Sequence, residues 1–362
     1  MLPVAPCITT IIPTFRRPQM LRRAIRSVLS QTFENLRVCV YDNASHDATE
    51  QVVSDIAAVD PRVTYHCHSS NIGGVDNLLY GMQRVETPFF SFLSDDDVVF
   101  PEFFALALTA LEQHPDAMMF AGSTLEVTPE GKLLFAPIAH WPREGEYLPP
   151  EAAFQMLGNK HPTWTSILFR RVVIDRIGLL DRQVGAPSDL DYELRVAAHF
   201  PIVISYHPCG AYVSHSKSGS ASENTSVVPG YRKMIARFEN DESLAPGARA
   251  MLAARLGEQL QLKILEIAVK STVRRHDETA REALMMLRHT ESSSAQLRLL
   301  SAVLSVCLKV SAARSILVAA ESLRLRFRSW RSACRSKRTY SAQSAGGSDL
   351  LRYSGYLAFD PP

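Results

Sequence analysis

Four places in the chain gather groups that can do chemistry. Ser94-Asp95-Asp96-Asp97 follows directly on the apolar run FFSFL. Like charges packed together are unfavourable unless a cation offsets them, so three adjacent carboxylates behind a strand point to a divalent-metal site, with a solvated acidic turn as the alternative. Asp42-Asn43 closes a second such run, LRVCVY. Asp189 and Asp191 open the segment SDLDYELRVAA. Two acids at a helix start either complement the helix dipole or place a carboxylate where it can take a proton from a substrate hydroxyl. His215, in the loop SHSKSGSAS, is either a surface residue or a neutral imidazole of the kind that ligates manganese-type metals.

These groups depend on the elements that carry them. Cys7 to Ile12 is a β-rich run halted at Pro13, and Leu36 to Tyr41 is a second one. Between them Met20, Leu21, Ala24, Ile25, Val28 and Leu29 recur at helical spacing, with Arg22, Arg23 and Arg26 on the other side. The pattern repeats as a helix over Ala48–Val59, a strand over Val63–Cys67, a helix over Asn77–Arg84 and a strand over Phe89–Leu93. Alternation of this kind predicts an α/β fold with a mostly parallel sheet flanked by helices. Such sheets bind ligands outside the carboxyl ends of their strands, which is where Asp42 and the three aspartates fall. The pattern continues as a helix over Phe103–Gln113, a strand over Ala117–Ala121, a Pro- and Gly-containing excursion from Pro129 to Pro150, and a helix-rich stretch over Ala152–Leu157, Ser166–Arg170 and Asp189–His199. Residues 1–228 are expected to form this domain. Residues 229–340 read as a helical C-terminal region, and 341–362 as a Ser/Gly-containing tail.

Composition narrows the class. With 362 residues, 46% hydrophobic and 21% charged, the chain is long enough for a large core and is not bulk-disordered. A formal charge of +2 gives no reason to expect a nucleic-acid partner. Six scattered cysteines without a Cys-x-x-Cys pair indicate a reducing, cytoplasmic setting. The opening MLPVAPCITTIIP reads as a first strand rather than a signal peptide, and no uninterrupted apolar run reaches the length of a membrane span. Charge is unevenly placed, however. From Leu297 to Arg338 ten Lys and Arg stand against Glu321 alone, with Phe327 and Trp330 among the arginines. That composition suits peripheral contact with an anionic membrane face, a solvated basic helix or a self-association face.

Two motifs carry less. His66-Cys67-His68 lacks further ligands at zinc-type spacing and reads as a half-exposed strand. Asn71-Ile72-Gly73-Gly74 is not a dinucleotide fingerprint and reads as a turn.

Taken in order, TTIIPTFRRPQMLRRAIRSVLSQTFENLRVCVYDNASHDAT, NIGGVDN, FLSDDDVVFPEFF, SDLDYELRVA and the His215 loop resemble a family-two glycosyltransferase of GT-A fold over about Cys7 to Ser222. The resemblance implies a nucleotide-binding α/β domain that transfers a sugar from a nucleotide-diphosphate donor with inversion at the anomeric carbon. It implies that Thr14 and Arg16 line the nucleotide pocket and that Asp42 recognises the base. Asp95, Asp96 and Asp97 fall on the Asp-x-Asp motif that binds metal and sugar nucleotide, with Asp96 as the direct ligand of Mn²⁺ or Mg²⁺ and Asp97 beside it. Asp189 falls on the catalytic base and Asp191 on an adjacent acidic position. His215 and Lys217 would close over the diphosphate, His215 as a metal ligand. The chain departs from the pattern at Ser94, at Asp76, where an arginine often provides a diphosphate contact, and at Ser188, where many members carry glutamate.

The expected partners are a nucleotide-diphosphate sugar, with UDP favoured, and a saccharide or lipid-linked acceptor in surface polysaccharide or glycolipid synthesis. Two other readings are a nucleotidyltransferase, against which the missing early Gly-rich, Lys-containing loop argues, and an inactive sugar-nucleotide-binding scaffold, against which the joint presence of Asp96, Asp97 and Asp189 argues.

Overall fold

The computed structural model describes residues 7–128, 133–158, 160–213, 225–288 and 295–321. They form two compact units. The first holds the described residues up to Arg182 and those from Tyr192 to the end of the sheet; the second holds Gln183–Asp191 and the described residues from 225 to 321. The boundary therefore falls inside a helix that opens with Asp189 and Asp191.

In the first unit β1 (Ile8–Thr14), β2 (Leu36–Asp42), β3 (Val63–Cys67) and β4 (Phe89–Phe92) lie parallel in the order β3-β2-β1-β4. Parallel neighbours need crossovers, which α1 (Pro18–Leu29), α2 (Thr49–Ala57) and α3 (Gly74–Met82) supply. Pro18 sits at the helix start, where its missing N–H costs nothing, and Leu21, Ala24, Ile25 and Val28 form the buried stripe of α1. Arg23 does not face away as its spacing predicts: its Nη2 donates to the Asp96 carbonyl at 2.6 Å. α3 begins three residues earlier than expected, because Gly73 at φ +90° turns the chain into it, a conformation unfavourable for residues with a Cβ.

Beyond β4 come β5 (Val98–Val99), α4 (Phe103–Gln113), β6 (Met119–Val127), β7 (Leu133–Phe135), β8 (Gly145–Tyr147), α5 (Glu151–Met156), β9 (Ile167–Arg170), α6 (Val172–Ile177), α7 (Ser188–His199) and β10 (Ile202–Val213). The sheet continues β4-β9-β6-β10-β5, with β7 on β6 and β8 on β10. β6 and β10 are parallel, whereas β9 is antiparallel to both of its neighbours. The stretch Ser166–Arg170, read as part of a helix-rich region, is thus mostly strand. Its four apolar-rich residues are too few for a period to show, and tertiary pairing decides: Phe169 stacks on Phe90 at 5.1 Å in the sheet centre. Ile8, Ile12, Val38 and Val40 of the sheet and Ile25, Phe104 and Leu111 of the helices belong to one buried core.

The described helices of the second unit are α8 (Val227–Glu239), α9 (Pro246–Val273), α10 (Asp277–Arg288) and α11 (Ala295–Lys309), followed by a helical stretch over 311–321. α9 packs against the other three.

Candidate active site

Parallel register brings Thr14 at the end of β1 beside Asp42 at the end of β2, and the chain leaving β4 delivers Asp95 to the same edge. The Thr14 hydroxyl donates to Asp95 Oδ2 at 2.8 Å, and the Phe15 N–H points to the same oxygen at 3.4 Å. Arg17 Nη1 reaches Asp95 Oδ1 at 3.1 Å and Asp96 Oδ2 at 2.7 Å, spanning two carboxylates. Thr165 donates to Asp97 Oδ2. Asp97 Oδ1 is buried and has no hydrogen-bond partner among the described residues.

The three aspartates are 5%, 6% and 2% exposed, so their electrostatics are those of an interior. Burial pushes the Asp95 carboxyl up to about 6, against the pull of Arg17, with Asp96 adding to the rise. Burial and then the neighbouring Asp96 hold Asp97 well above the usual carboxylate range. Burial disfavours the Arg17 charge, but Asp95 and Asp96 more than offset that and raise its pKa. Arg23 is lowered by burial despite Asp97 and Asp96.

Asp42 is 1% exposed and already satisfied: Oδ1 accepts from the Ser45 N–H at 3.0 Å and hydroxyl at 2.6 Å, and Oδ2 from the Tyr65 hydroxyl at 2.7 Å. Those bonds tie down a loop in which Ala44 and His46 hold positive φ. Arg16, itself at φ +57°, donates its N–H to the Ser45 hydroxyl at 2.8 Å and is exposed at the same edge. The adjacent Asn43 bridges to the turn before α3, pairing with Asn71 Oδ1 at 3.0 Å and accepting from the Ile72 N–H at 2.8 Å. Asp76, where the family pattern favours arginine, forms an ion pair at 3.2 Å with Arg182, so a guanidinium reaches this position from elsewhere in the chain.

Asp189 belongs to the second unit and is partly exposed; its Oδ1 accepts from the Leu190 N–H at 2.7 Å. Asp191, two residues on, is fully buried in an ion pair with Arg237, which makes it part of the packing of that unit. His215 and Lys217 lie outside the described residues. Sequence reasoning missed Arg17 and Thr165, which complete the cluster. Arg17 could have been found as the remaining basic residue of the β1–α1 connection; Thr165 has no local signal.

As a holder of a metal, the cluster offers what hard divalent cations take, carboxylate oxygens, one of them buried and unpartnered. Among the described residues no three His, Cys, Asp or Glu side chains form a group that could hold a metal ion, and the Arg17 guanidinium spans Asp95 and Asp96. Asp96 and Asp97 are the carboxylates that the cluster would offer a cation. His66 stacks on Tyr80 at 4.6 Å and His68 pairs with Asn77 at 2.9 Å, as expected of strand and packing residues. A groove of about 520 Å³ lined by Glu102, His114, Glu144 and Ser205 shares no residue with the aspartate cluster.

The sheet whose parallel strands end in Thr14, Asp42 and a buried aspartate cluster is an α/β architecture of the GT-A type. The profile of glycosyl transferase family 2 matches residues 9–178. It is 34% identical over 109 residues to the GalNAc(5)-diNAcBac-PP-undecaprenol beta-1,3-glucosyltransferase of Campylobacter jejuni, covering 30% of this chain and 34% of that one. The chain spans little more than a third of the length of the first curated relatives it matches. Among solved structures, Staphylococcus aureus TarS 1–349 in complex with UDP-GlcNAc superimposes with a TM-score of 0.62 at 14% identity, over 88% of this chain and 91% of that one. The mannosyltransferase PcManGT of Pyrobaculum calidifontis, in complex with GDP-Man and Mn²⁺, does so with a TM-score of 0.52 at 16% identity, over 91% and 88%.

Proposed function

We propose that this protein is an inverting glycosyltransferase that moves a sugar from a nucleoside-diphosphate donor, UDP-linked by preference, to a hydroxyl of a saccharide or lipid-linked acceptor in surface polysaccharide or glycolipid synthesis. The observation that carries this reading is the cluster in which Thr14, Arg17 and Thr165 hold Asp95, Asp96 and Asp97 at the carboxyl edge of the sheet. The neighbouring structures crystallised with UDP-GlcNAc and with GDP-Man and Mn²⁺ support it.

In this reading Thr14, Arg16 and Asp42 form the nucleotide side of the site, with the Asp42 loop held in place by Ser45 and Tyr65. Asp96 and Asp97 would hold a divalent cation, Mn²⁺ or Mg²⁺, and His215, as a further metal ligand, and Lys217 are assigned to the diphosphate. A cation bound there supplies positive charge that makes the diphosphate a better leaving group without protonating it. The Asp189 carboxylate takes the proton of the acceptor hydroxyl as its oxygen attacks the anomeric carbon on the face opposite the diphosphate. One C–O bond forms, the bond to the diphosphate breaks, and configuration inverts, as at the oxocarbenium-like centre of inverting hydrolysis. The domain proposal of 1–228 for transfer, 229–340 for a helical region and 341–362 for a tail goes with this reading, as does a location on the cytoplasmic face of a membrane. No helix among the described residues is long and apolar enough to cross a membrane.

The test is binding of UDP, dTDP, GDP and CMP with and without Mn²⁺, read by thermal shift and calorimetry on the wild type and Asp96→Ala. A ligand of the native state raises its stability in step with its affinity. Metal-dependent binding of one diphosphate, lost in Asp96→Ala, supports the reading. Absence of any nucleotide binding overturns it and favours the scaffold.

A further inference from the structure

A helix that is apolar on every side has to find cover on every side. From Leu299 to Leu308 α11 contains no charged residue. One face finds its cover inside the second unit: Ser301, Leu304 and Cys307 are 4%, 2% and 4% exposed against α9 and α10. The opposite face does not. Leu299, Val303, Val306 and Val310 follow one another at helical spacing and are 66%, 48%, 52% and 47% exposed. Leu300 at 46% widens the stripe, and Ile316 at 71% extends it along the helical stretch that follows. The one basic group within that stretch, Arg314, is taken up by an ion pair with Asp277 at 2.9 Å. Contiguous bare apolar surface of this kind marks an interaction site.

The sequence directly after it indicates the occupant. Residues 322–340 hold seven Lys and Arg, Phe327, Trp330 and no acid. A second copy of the chain would set seven cations against seven. An anionic lipid surface neutralises them and accepts the apolar stripe and the two aromatic side chains at its headgroup boundary. We propose that the apolar stripe running from Leu299 on α11 to Val310 just past its end docks the protein on an anionic lipid surface, the helix lying in the interface. This deepens the peripheral-membrane part of the proposed function.

The experiment sediments the full chain with phosphatidylcholine vesicles, with and without phosphatidylglycerol. The wild type is compared with Val303→Glu/Val306→Glu, a milder Val303→Ser/Val306→Ser pair, and Arg324→Ser/Arg326→Ser/Arg328→Ser. Because the stripe is exposed, these changes open no cavity, and an unchanged melting temperature checks the fold. The wild type is expected to prefer anionic vesicles. The glutamate pair should lose about tenfold or more in binding, the serine pair less, and the arginine variant both affinity and salt sensitivity. Equal binding by the glutamate pair and wild type overturns the proposal. So does a wild-type dimer, seen by light scattering, that the pair converts to monomer while neither pellets, which would assign the stripe to a second copy. Nucleotide binding is measured on the same samples: its loss with vesicle binding intact would overturn the transferase reading and leave the docking surface standing.

Discussion

Arg17 Nη1 stands 2.7 Å from Asp96 Oδ2 while reaching Asp95 as well, so the residue expected to ligate a metal directly already has a cation beside it. The pair links the start of α1 to the end of β4, two elements that only the sheet brings together. A divalent cation bound as proposed would compete with the Arg17 guanidinium for the same carboxylate charge.

Removing that competitor should therefore show. Arg17→Gln is expected to tighten Mn²⁺ binding to the nucleotide-free protein on the order of tenfold, since a unit charge a few ångströms away acts on the dication. The same variant should lose about 2 kcal/mol of stability without metal, because two buried carboxylates lose a partner. Calorimetric titration with Mn²⁺ and denaturant melts check both effects, and Mn²⁺ should restore more stability to the variant than it adds to the wild type.

The raised Asp95 carboxyl makes stability depend on pH with a definite sign. Its pKa is about 6 in the folded protein against an ordinary 3.8, so between these values the native state binds more protons than the unfolded chain. The stabilisation is present below about pH 4 and is lost as pH rises through about 6, by about 3 kcal/mol in all. Asp97, shifted the same way, adds to the loss. Urea melts from pH 4 to 8 should show a downward slope for the wild type and a shallower one for Asp95→Asn.

Asp189 and Asp191 should separate cleanly. Asp189→Asn is expected to cut turnover by about 10² to 10⁴, the range for a lost general base, with an unchanged melting temperature and donor affinity. Arg237→Met removes the guanidinium that pairs with the fully buried Asp191 and should destabilise by about 3 to 5 kcal/mol. Steady-state kinetics and thermal melts on the two variants decide between a chemical and a packing role.

A substitution remote from the carboxylates should disturb them through packing. A Cβ at Gly210 would stand 2.7 Å from the Val98 carbonyl oxygen and 3.0 Å from Thr165 Cγ2. Since Thr165 holds Asp97, Gly210→Ala is expected to destabilise by about 1 to 3 kcal/mol and to weaken Mn²⁺ binding. Melting curves and metal titration on this variant check it, and unchanged metal affinity would show that Thr165 accommodates the methyl group.

Much of the first unit is legible without coordinates because its signals are local. The apolar runs ending at Asp42 and Ser94 and the helical spacing from Leu21 to Val28 are fixed by burial over a few residues, and the elements they predict are the ones observed. The same locality puts Asp42 and Asp95–Asp97 at one sheet edge, because parallel strands must end together. Three things required the tertiary structure. Ile167–Arg170 is a strand because β4 and β6 leave a place between them, which four residues, three of them apolar, cannot announce. Arg23 donates to the Asp96 backbone carbonyl and Arg17 spans the Asp95 and Asp96 carboxylates because folding brings these acceptors within reach of long side chains, and sequence spacing does not give their position in space. Asp191, read as an acidic position adjacent to Asp189, is buried against Arg237, since two steps along a helix turn a side chain about 200° and only the packing says which direction is interior.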